Sequence, residues 1–395
     1  MKCTFKLLSS LVLMSLTACQ NQAVERNVTS EMSRVNQSNN TICLALKEAV
    51  TNAWEETSIP GLSAAVVLPD QTGCSSAAGW ADVNRKIKAT PDTRFLSGST
   101  GKVFVSATAI YLTQQGLLDL DDPVSKYLSD EPFFDKIPNG RTMTVRQLMD
   151  HTSGLADHVY TKEFTEIMRE GFANKKAVSP RDVIKFVFDQ EPLSKAGEVF
   201  HYSDTGYILL GLVIESASGR DYYDVLHEAI ILPLALNSTS PSRGLYHDKL
   251  ANGYHDQKYF EFSPKESLTA DGWMRWDPAT EWTGGGLVTK PENLARFAWK
   301  YYQGLAFEKP YLEQVLTAGT IQQKGDFKYG LGTVIFETSE GIAYGHLGVI
   351  PGYGSSMVYF PKLKLSISIQ GNVNDVGMAT RLAIREAVVK ALKAD

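Results

Sequence analysis

The stretch Ser97-Gly98-Ser99-Thr100-Gly101-Lys102-Val103 decides how the rest of the chain is read. Gly-Lys after small residues points first to a phosphate loop, in which backbone N–H groups wrap a phosphate and a final hydroxyl binds magnesium. Such a loop needs G-x-x-x-x-G-K-[ST]. Here Leu96 holds the first glycine position and Val103 the hydroxyl position, so both ends fail. The remaining reading is S-x-x-K, with Ser99 and Lys102 three residues apart at a helix start. That spacing places both side chains on one face, one turn from each other. A helix N-terminus favours developing negative charge, and a lysine whose pKa is lowered by burial can take a serine proton.

Outward from this stretch, the pattern from about Gly98 to Gln115 is helical, with Val103, Ala107, Ile110 and Tyr111 near one face and Gly116 as the stop. Before it, the sequence predicts a helix from Ile42 to Glu56, a strand over Gly61–Pro69 and another over Ser75–Ala81. The middle of the chain is helix and loop. Thr144-x-x-Gln147 and Thr289-x-x-Glu292 fit capping boxes, and Ser179-Pro180 fits an N-cap followed by proline at the first helical position. An amphipathic segment, Asp204 to Ala217, stops at Gly219. The last quarter predicts strands at Gly330–Phe336, Ile342–Leu347, Ser355–Phe360 and Leu365–Gln370, then a closing helix from Val376 to about Lys393. Strands at both ends around a helical middle imply an α+β fold. One sheet is completed by the two termini and covered by their helices, and the helical insertion forms a second lobe. A cleft is expected between the lobes, near Ser99.

Composition sets the surroundings. With 395 residues, 43% hydrophobic and 21% charged, the chain has ample core for one large domain or two smaller ones. Residues 1–18 read as a lipoprotein signal: Lys2 and Lys6, an apolar run from Leu7 to Leu16, then Leu16-Thr17-Ala18-Cys19, in which Cys19 becomes the lipidated first residue. A plain secretory signal cut nearby is the alternative. Residues 19–41 are polar and rich in Asn, Gln and Ser, a tether rather than a core former. The folded domain then spans 42–395, with a sheet lobe of about 42–115 and 290–395 and a helical lobe of about 116–289. The expected location is the bacterial envelope, lipid-anchored and facing the periplasm, with Gln20 hinting at the outer membrane.

Loss of residues 1–18 removes Lys2 and Lys6 and no acid, so the formal charge of −5 becomes −7. No basic cluster or basic–aromatic stripe is present, so nucleic acid is not an expected partner. Of four cysteines, Cys3 leaves with the signal and Cys19 carries lipid. Cys43 and Cys74 remain as an even pair in an export-routed chain and are read as a disulfide, two buried thiols being the alternative. Asp150, His151 and His158 match no familiar metal-ligand spacing, and no cofactor or metal is expected.

Two further stretches raise S-x-x-K above a chance match. One is His201-Tyr202-Ser203-Asp204-Thr205-Gly206-Tyr207, directly before a helix. The other is Gly345-His346-Leu347-Gly348-Val349-Ile350-Pro351-Gly352-Tyr353. Together with S-x-x-K they resemble the three motifs of the serine β-lactamase and penicillin-binding DD-peptidase superfamily. The branch concerned holds class C β-lactamases, a D-alanyl-D-alanine carboxypeptidase group, D-aminopeptidases and esterases. Leu148-Met149-Asp150-His151-Thr152-Ser153-Gly154-Leu155 and Gly284-Gly285-Gly286-Leu287-Val288-Thr289 follow the same habit, and the resemblance covers about residues 45–395.

The resemblance implies a helix-covered antiparallel sheet beside an all-helical lobe. It implies Ser99 as the acyl-forming nucleophile, Lys102 as base or base partner, and Tyr202 as proton shuttle, with the choice of base between Lys102 and Tyr202 left open. It implies an oxyanion hole from the N–H groups of Ser99 and Val349, and His346 across the cleft beside Gly348, holding a substrate carboxylate or the tyrosine. His-x-Gly in place of Lys-Thr-Gly, with the tether, points to a D-alanyl-D-alanine carboxypeptidase beside peptidoglycan. A class C-like β-lactamase, a D-aminopeptidase, an esterase and a non-turnover penicillin-binding sensor are the alternatives. Substrates are therefore small peptides, β-lactams or esters. Asp204 departs from the family, which carries Asn there. Asp keeps an acceptor for the lysine, loses the NH₂ donor to a substrate carbonyl, and favours the ammonium form of Lys102.

Overall fold

The computed structural model describes residues 39–255, 263–319 and 327–394, so the signal, Cys19 and nearly all of the tether lie outside the described residues. An eight-stranded antiparallel sheet forms the frame. Its strands are β1 (Gly61–Val67), β2 (Gly73–Asp82), β3 (Ile87–Lys88), β7 (Phe327–Tyr329), β8 (Val334–Thr338), β9 (Gly341–Ile350), β10 (Tyr353–Phe360) and β11 (Leu365–Gly371). In space they run β3-β2-β1-β11-β10-β9-β8-β7. β1 pairs with β11, Leu62 opposite Gly371, so the N-terminal strands complete a sheet begun by the C-terminal ones. A smaller sheet joins β4 (Phe95–Leu96), β6 (Leu287–Thr289) and β5 (Ser240–Pro241) under the junction of the lobes.

Both central strands, β1 and β11, are buried throughout, because each face of the sheet is covered. One face packs Leu62, Ala64 and Val66 with Ile367 and Ile369 against Ile42, Leu46 and Val50 of the helix 39–55 and Ile384 and Val388 of the helix Met378–Ala394. The other face shares a continuous core with the helical lobe. There Met357 and Tyr359 join Leu294 and Phe297 of the helix Pro291–Tyr302, Val103 and Ile110 of Lys102–Gln114, and Leu209 and Val213 of Asp204–Ser218. Among the described residues, no helix is long and apolar enough to cross a membrane.

Several local expectations change on contact with tertiary structure. The first helix begins at residue 39, inside the expected tether, because the Asn39 amide reaches Asp70 and Thr72 at 3.0 and 2.9 Å. Thr144 and Gln147 form the reciprocal capping box. Thr289 and Glu292 do not: the helix starts at Pro291 after Lys290, the Thr289 hydroxyl pairs with that of Thr239, and Glu292 turns to Arg296. The strand expected over Gly330–Phe336 is broken. β7 ends at Tyr329 and β8 resumes at Val334, with Gly332 at φ +68° tucked against Ser106. Cys43 and Cys74 are bonded, Cα atoms 5.8 Å apart, tying the first helix to β2.

Candidate active site

Ser99 sits in a tight 3₁₀ turn, Gly98–Gly101, that feeds directly into the helix Lys102–Gln114. Two backbone segments grip that turn, and glycines are what let them approach. Gly98 takes φ +51°, and a Cβ there would lie 2.8 Å from the Val349 nitrogen. Gly101 would collide with Gly285, a Cβ falling 2.7 Å from its Cα. Gly348, next to Val349 on the same strand, lies against the turn too: a Cβ there would strike the Ser97 carbonyl oxygen and the Ser355 hydroxyl, and sit 2.9 Å from the Thr100 nitrogen. The Gly284–Gly286 triplet and His-Leu-Gly are thus spacers that bring β9 and the 278–284 turn onto Ser99. β8 pairs with β9 only as far as Gly345, so the rest of β9 leaves that edge open beside Ser99 and Val349.

Ser99 is partly exposed, while Lys102 beneath it is fully buried. The Lys102 ammonium donates to Ser99 Oγ at 3.2 Å, to Asp204 Oδ1, and to the Gly284 carbonyl at 2.5 Å. An ammonium has three N–H bonds, and all three are taken. Burial opposes the charge on Lys102, but Asp204, Tyr202 and Glu281 outweigh it and hold the amine well above the ordinary lysine range. In this resting arrangement Lys102 is a cation and not a free base.

Tyr202 precedes the helix Asp204–Ser218, whose N-cap Ser203 accepts from the Gly206 N–H. Its ring lies 5.2 Å from Lys102 Nζ, and its hydroxyl is buried facing Ser99 and Lys102. Burial pushes the Tyr202 phenol up to about 12, with Lys102 and Ser99 pulling the other way. Asp204 stands in the first turn of the helix, where the backbone dipole favours a carboxylate.

His346 arrives on β9 but turns away from a ligand role. Its Nδ1–H donates to the Leu347 carbonyl at 2.6 Å, and Nε2 accepts from the Tyr329 hydroxyl at 2.8 Å. Burial drives its pKa down to about 3, so the ring is neutral.

Two acids absent from the sequence reading complete the site. Glu281, on the turn Pro278–Gly284, and Asp204 flank Gly284: a Cβ on that glycine would lie 3.6 Å from Glu281 Oε2 and 3.7 Å from Asp204 Oδ1. Burial first, then Asp204, pushes the Glu281 carboxyl up to about 7. Asp157, which caps Val159 at 3.1 Å, rises to about 7 for the same two reasons. Glu281 directly precedes Trp282, Thr283 and the glycine triplet, so its place near Ser99 follows once that triplet is known to touch the Ser99 turn. Asp150, His151 and His158 are each engaged elsewhere. Asp150 caps Thr152, His151 Nδ1 takes the Ser203 N–H, and His158 Nδ1 contacts the Thr205 hydroxyl.

The Beta-lactamase family matches residues 46–390, nearly the whole described chain. The chain belongs to this family. It is 27% identical over 324 residues to Protein flp of Staphylococcus aureus (strain COL), covering 80% of this chain and 60% of that protein. It is 28% identical over 298 residues to Penicillin-binding protein 4* of Bacillus subtilis, covering 71% and 61%. The chain thus spans about three fifths of the length of these curated relatives. Among solved structures, a D-stereospecific amidohydrolase from Streptomyces sp. superposes with TM-score 0.73 at 25% identity, covering 88% of this chain and 98% of that one. The D-amino acid amidase of Ochrobactrum anthropi SV3 shares the fold at TM-score 0.74 and 22% identity, covering 89% and 99%. The fold is that of the serine β-lactamases and penicillin-binding proteins, and the chain is of the serine hydrolase type that this family holds.

Proposed function

We propose that the protein hydrolyses small amides or peptides whose acyl part carries a positively charged amine, through an acyl-enzyme on Ser99. The observation that carries this reading is the charge around the nucleophile: Asp204 and Glu281, with Asp157 behind them, crowd one buried cation, Lys102. Burial raises the Glu281 and Asp157 carboxyls to about 7, so an entering ammonium group favours their ionised form, and that gain favours a cationic substrate. The D-alanyl-D-alanine carboxypeptidase expected from sequence needs a cation for the terminal carboxylate. Its candidate anchor, His346, is neutral with both ring nitrogens occupied. The likeness to a D-stereospecific amidohydrolase supports the amide reading. The carboxypeptidase remains the second reading, on the likeness to Penicillin-binding protein 4*.

In this mechanism the reacting form is the one in which Tyr202 has given its phenol proton to solvent; the phenolate, paired with the cationic Lys102, takes the Ser99 proton as Ser99 Oγ attacks the substrate carbonyl carbon. The oxyanion is received by the N–H groups of Ser99 and Val349, which act on charge present only in the transition state. Tyr202 returns the proton to the departing amine, and water repeats the cycle on the ester. The Leu16-Thr17-Ala18-Cys19 signal supports an envelope location with a lipid on Cys19. Membrane partition of the native protein, lost in Cys19→Ala, is the expected result there, and recovery of the wild type as unmodified soluble protein overturns it.

The test of activity is a turnover panel run with a Ser99→Ala control: a D-amino acid amide, the same compound N-acetylated, a D-alanyl-D-alanine peptide, a chromogenic cephalosporin and a nitrophenyl ester. Preference for the free amine over its N-acetyl form by tenfold or more is expected. Equal rates for the two, or a preference for the peptide bearing a free carboxylate, reject the cationic-substrate reading.

A further inference from the structure

Beneath Tyr202 lies a residue whose chemistry the reaction above leaves unused. His151 is 1% exposed and adopts φ +62°, a left-handed conformation uncommon outside glycine, though His tolerates it better than most residues. Strain of this kind persists where the surroundings enforce it, and it gathers at functional sites. Here the surroundings are the tyrosine's own segment. The His151 carbonyl accepts from the His201 N–H at 2.8 Å, and its Nδ1 accepts from the Ser203 N–H at 3.1 Å. One residue therefore holds the chain immediately before and immediately after Tyr202. Between these two points the imidazole lies against the Tyr202 ring, centroids 4.0 Å apart and planes 32° apart.

The rest of the imidazole's shell is aromatic. Tyr329, Tyr207 and Phe200 stand at 4.8, 5.1 and 5.9 Å from it. Because Nδ1 is an acceptor, the neutral ring carries its proton on Nε2, which is buried with no partner. Burial, Lys102 and His346 all keep the ring neutral. A charged imidazolium would lose the Ser203 acceptor and repel Lys102, so neutrality is a condition of the clamp.

We propose that His151 is a positioning residue for Tyr202, setting the tyrosine's hydroxyl against Ser99 through the Ser203 N–H bond and the ring stack. The proposal rests on Tyr202 as the proton carrier. A proton carrier acts only within hydrogen-bond reach, and a misplacement of about 1 Å can cost roughly 100-fold in rate. His151 touches no reacting atom and acts through Tyr202 alone.

The experiment uses the full-length protein and the rate at which a fluorophosphonate labels Ser99. His151→Gly suits the positive φ and opens a ring-sized hole. It is expected to slow labelling about 100-fold, with added imidazole restoring at least tenfold. His151→Asn also tolerates the conformation and offers a carbonyl to the Ser203 N–H, so it should stay within about tenfold of wild type. In a Tyr202→Phe background, His151→Gly should slow labelling no further and imidazole should do nothing. A slow Tyr202→Phe protein beside fast His151 variants overturns the clamp and leaves the mechanism standing. So does a deficit that neither imidazole nor asparagine repairs, or one that adds fully to that of Tyr202→Phe. A Tyr202→Phe protein as fast as wild type overturns the mechanism itself, and the positioning proposal with it.

Discussion

The Asp204 carboxylate takes one of the three N–H bonds of the Lys102 ammonium, leaving one for the Gly284 carbonyl and one for Ser99 Oγ. Asp204 also raises the proton affinity of Tyr202. Both candidate bases therefore hold their protons more tightly than they would beside the family's asparagine.

Asp204→Asn removes that charge, so the pKa values of Lys102 and Tyr202 fall. The expected result is an ascending limb of the acylation rate displaced to lower pH. Amide substrates gain more than esters, because the new NH₂ can donate to an amide carbonyl. Acylation rates against pH, for one amide and one ester, measure both effects. An unmoved profile with equal changes for the two substrates contradicts the role given to Asp204.

Glu281→Gln separates binding from chemistry. For a cationic substrate, wild-type kcat/KM should rise as pH passes about 7, where the Glu281 carboxyl ionises. The variant should lack that rise and lose about 10- to 100-fold, the worth of one charged hydrogen bond, while fluorophosphonate labelling of Ser99 is unchanged. The stability effect has the opposite sign. A carboxyl with a raised folded pKa costs stability once it must ionise, so Glu281→Gln should gain on wild type as pH rises from about 4.5 to about 7, by at most about 3 kcal/mol. Urea unfolding at pH 5 and pH 8 reads this difference.

The Cys43–Cys74 bond closes a loop between residues 31 apart in sequence. The chain-entropy argument gives about 3–4 kcal/mol for a loop of that size. Reduction, or Cys43→Ala with Cys74→Ala, should lower the urea midpoint accordingly and leave the rate of Ser99 acylation in folded protein intact. The bond lies beside the face of the sheet that packs on the two terminal helices, away from Ser99.

How much of this was legible beforehand varied with the range of the interaction. Ser99, Lys102 and Tyr202 were singled out on a helix start or a short motif, which places each locally. The structure brings Lys102 to Ser99 and to the Tyr202 ring. Asp204 was readable as a departure from a pattern. Glu281 and Asp157 were not, because each approaches Lys102 only through the folding of its own loop, from opposite sides in sequence. His346 was read as a cleft residue, yet its environment depends on Tyr329, 17 residues away on another strand. The Thr289 box failed for a similar reason, since a hydroxyl partner from Thr239 outcompeted the local cap. Strand and helix identities survived because hydrophobic period depends on burial alone, whereas the break at Gly332 depends on a neighbour, Ser106.

Gly348→Ala tests the approach of β9 to the nucleophile turn. Its Cβ would press on the Ser97 carbonyl, the Ser355 hydroxyl and the Thr100 nitrogen, which are backbone or tightly bonded groups with little room to yield. In the proposed mechanism, moving Val349 away weakens one oxyanion donor, and loss of such a donor costs about 100- to 1000-fold. A drop of that order in kcat, with KM little changed, is the expected outcome. Wild-type kcat in this variant argues against Val349 as a donor.

The central claim is a covalent acyl-enzyme on Ser99. Intact-mass measurement after brief exposure to a fluorophosphonate, followed by peptide mapping, tests it most directly. The account predicts one adduct per chain, on the peptide that contains Ser99 and absent in Ser99→Ala. An adduct that persists in Ser99→Ala, or maps to another residue, contradicts it.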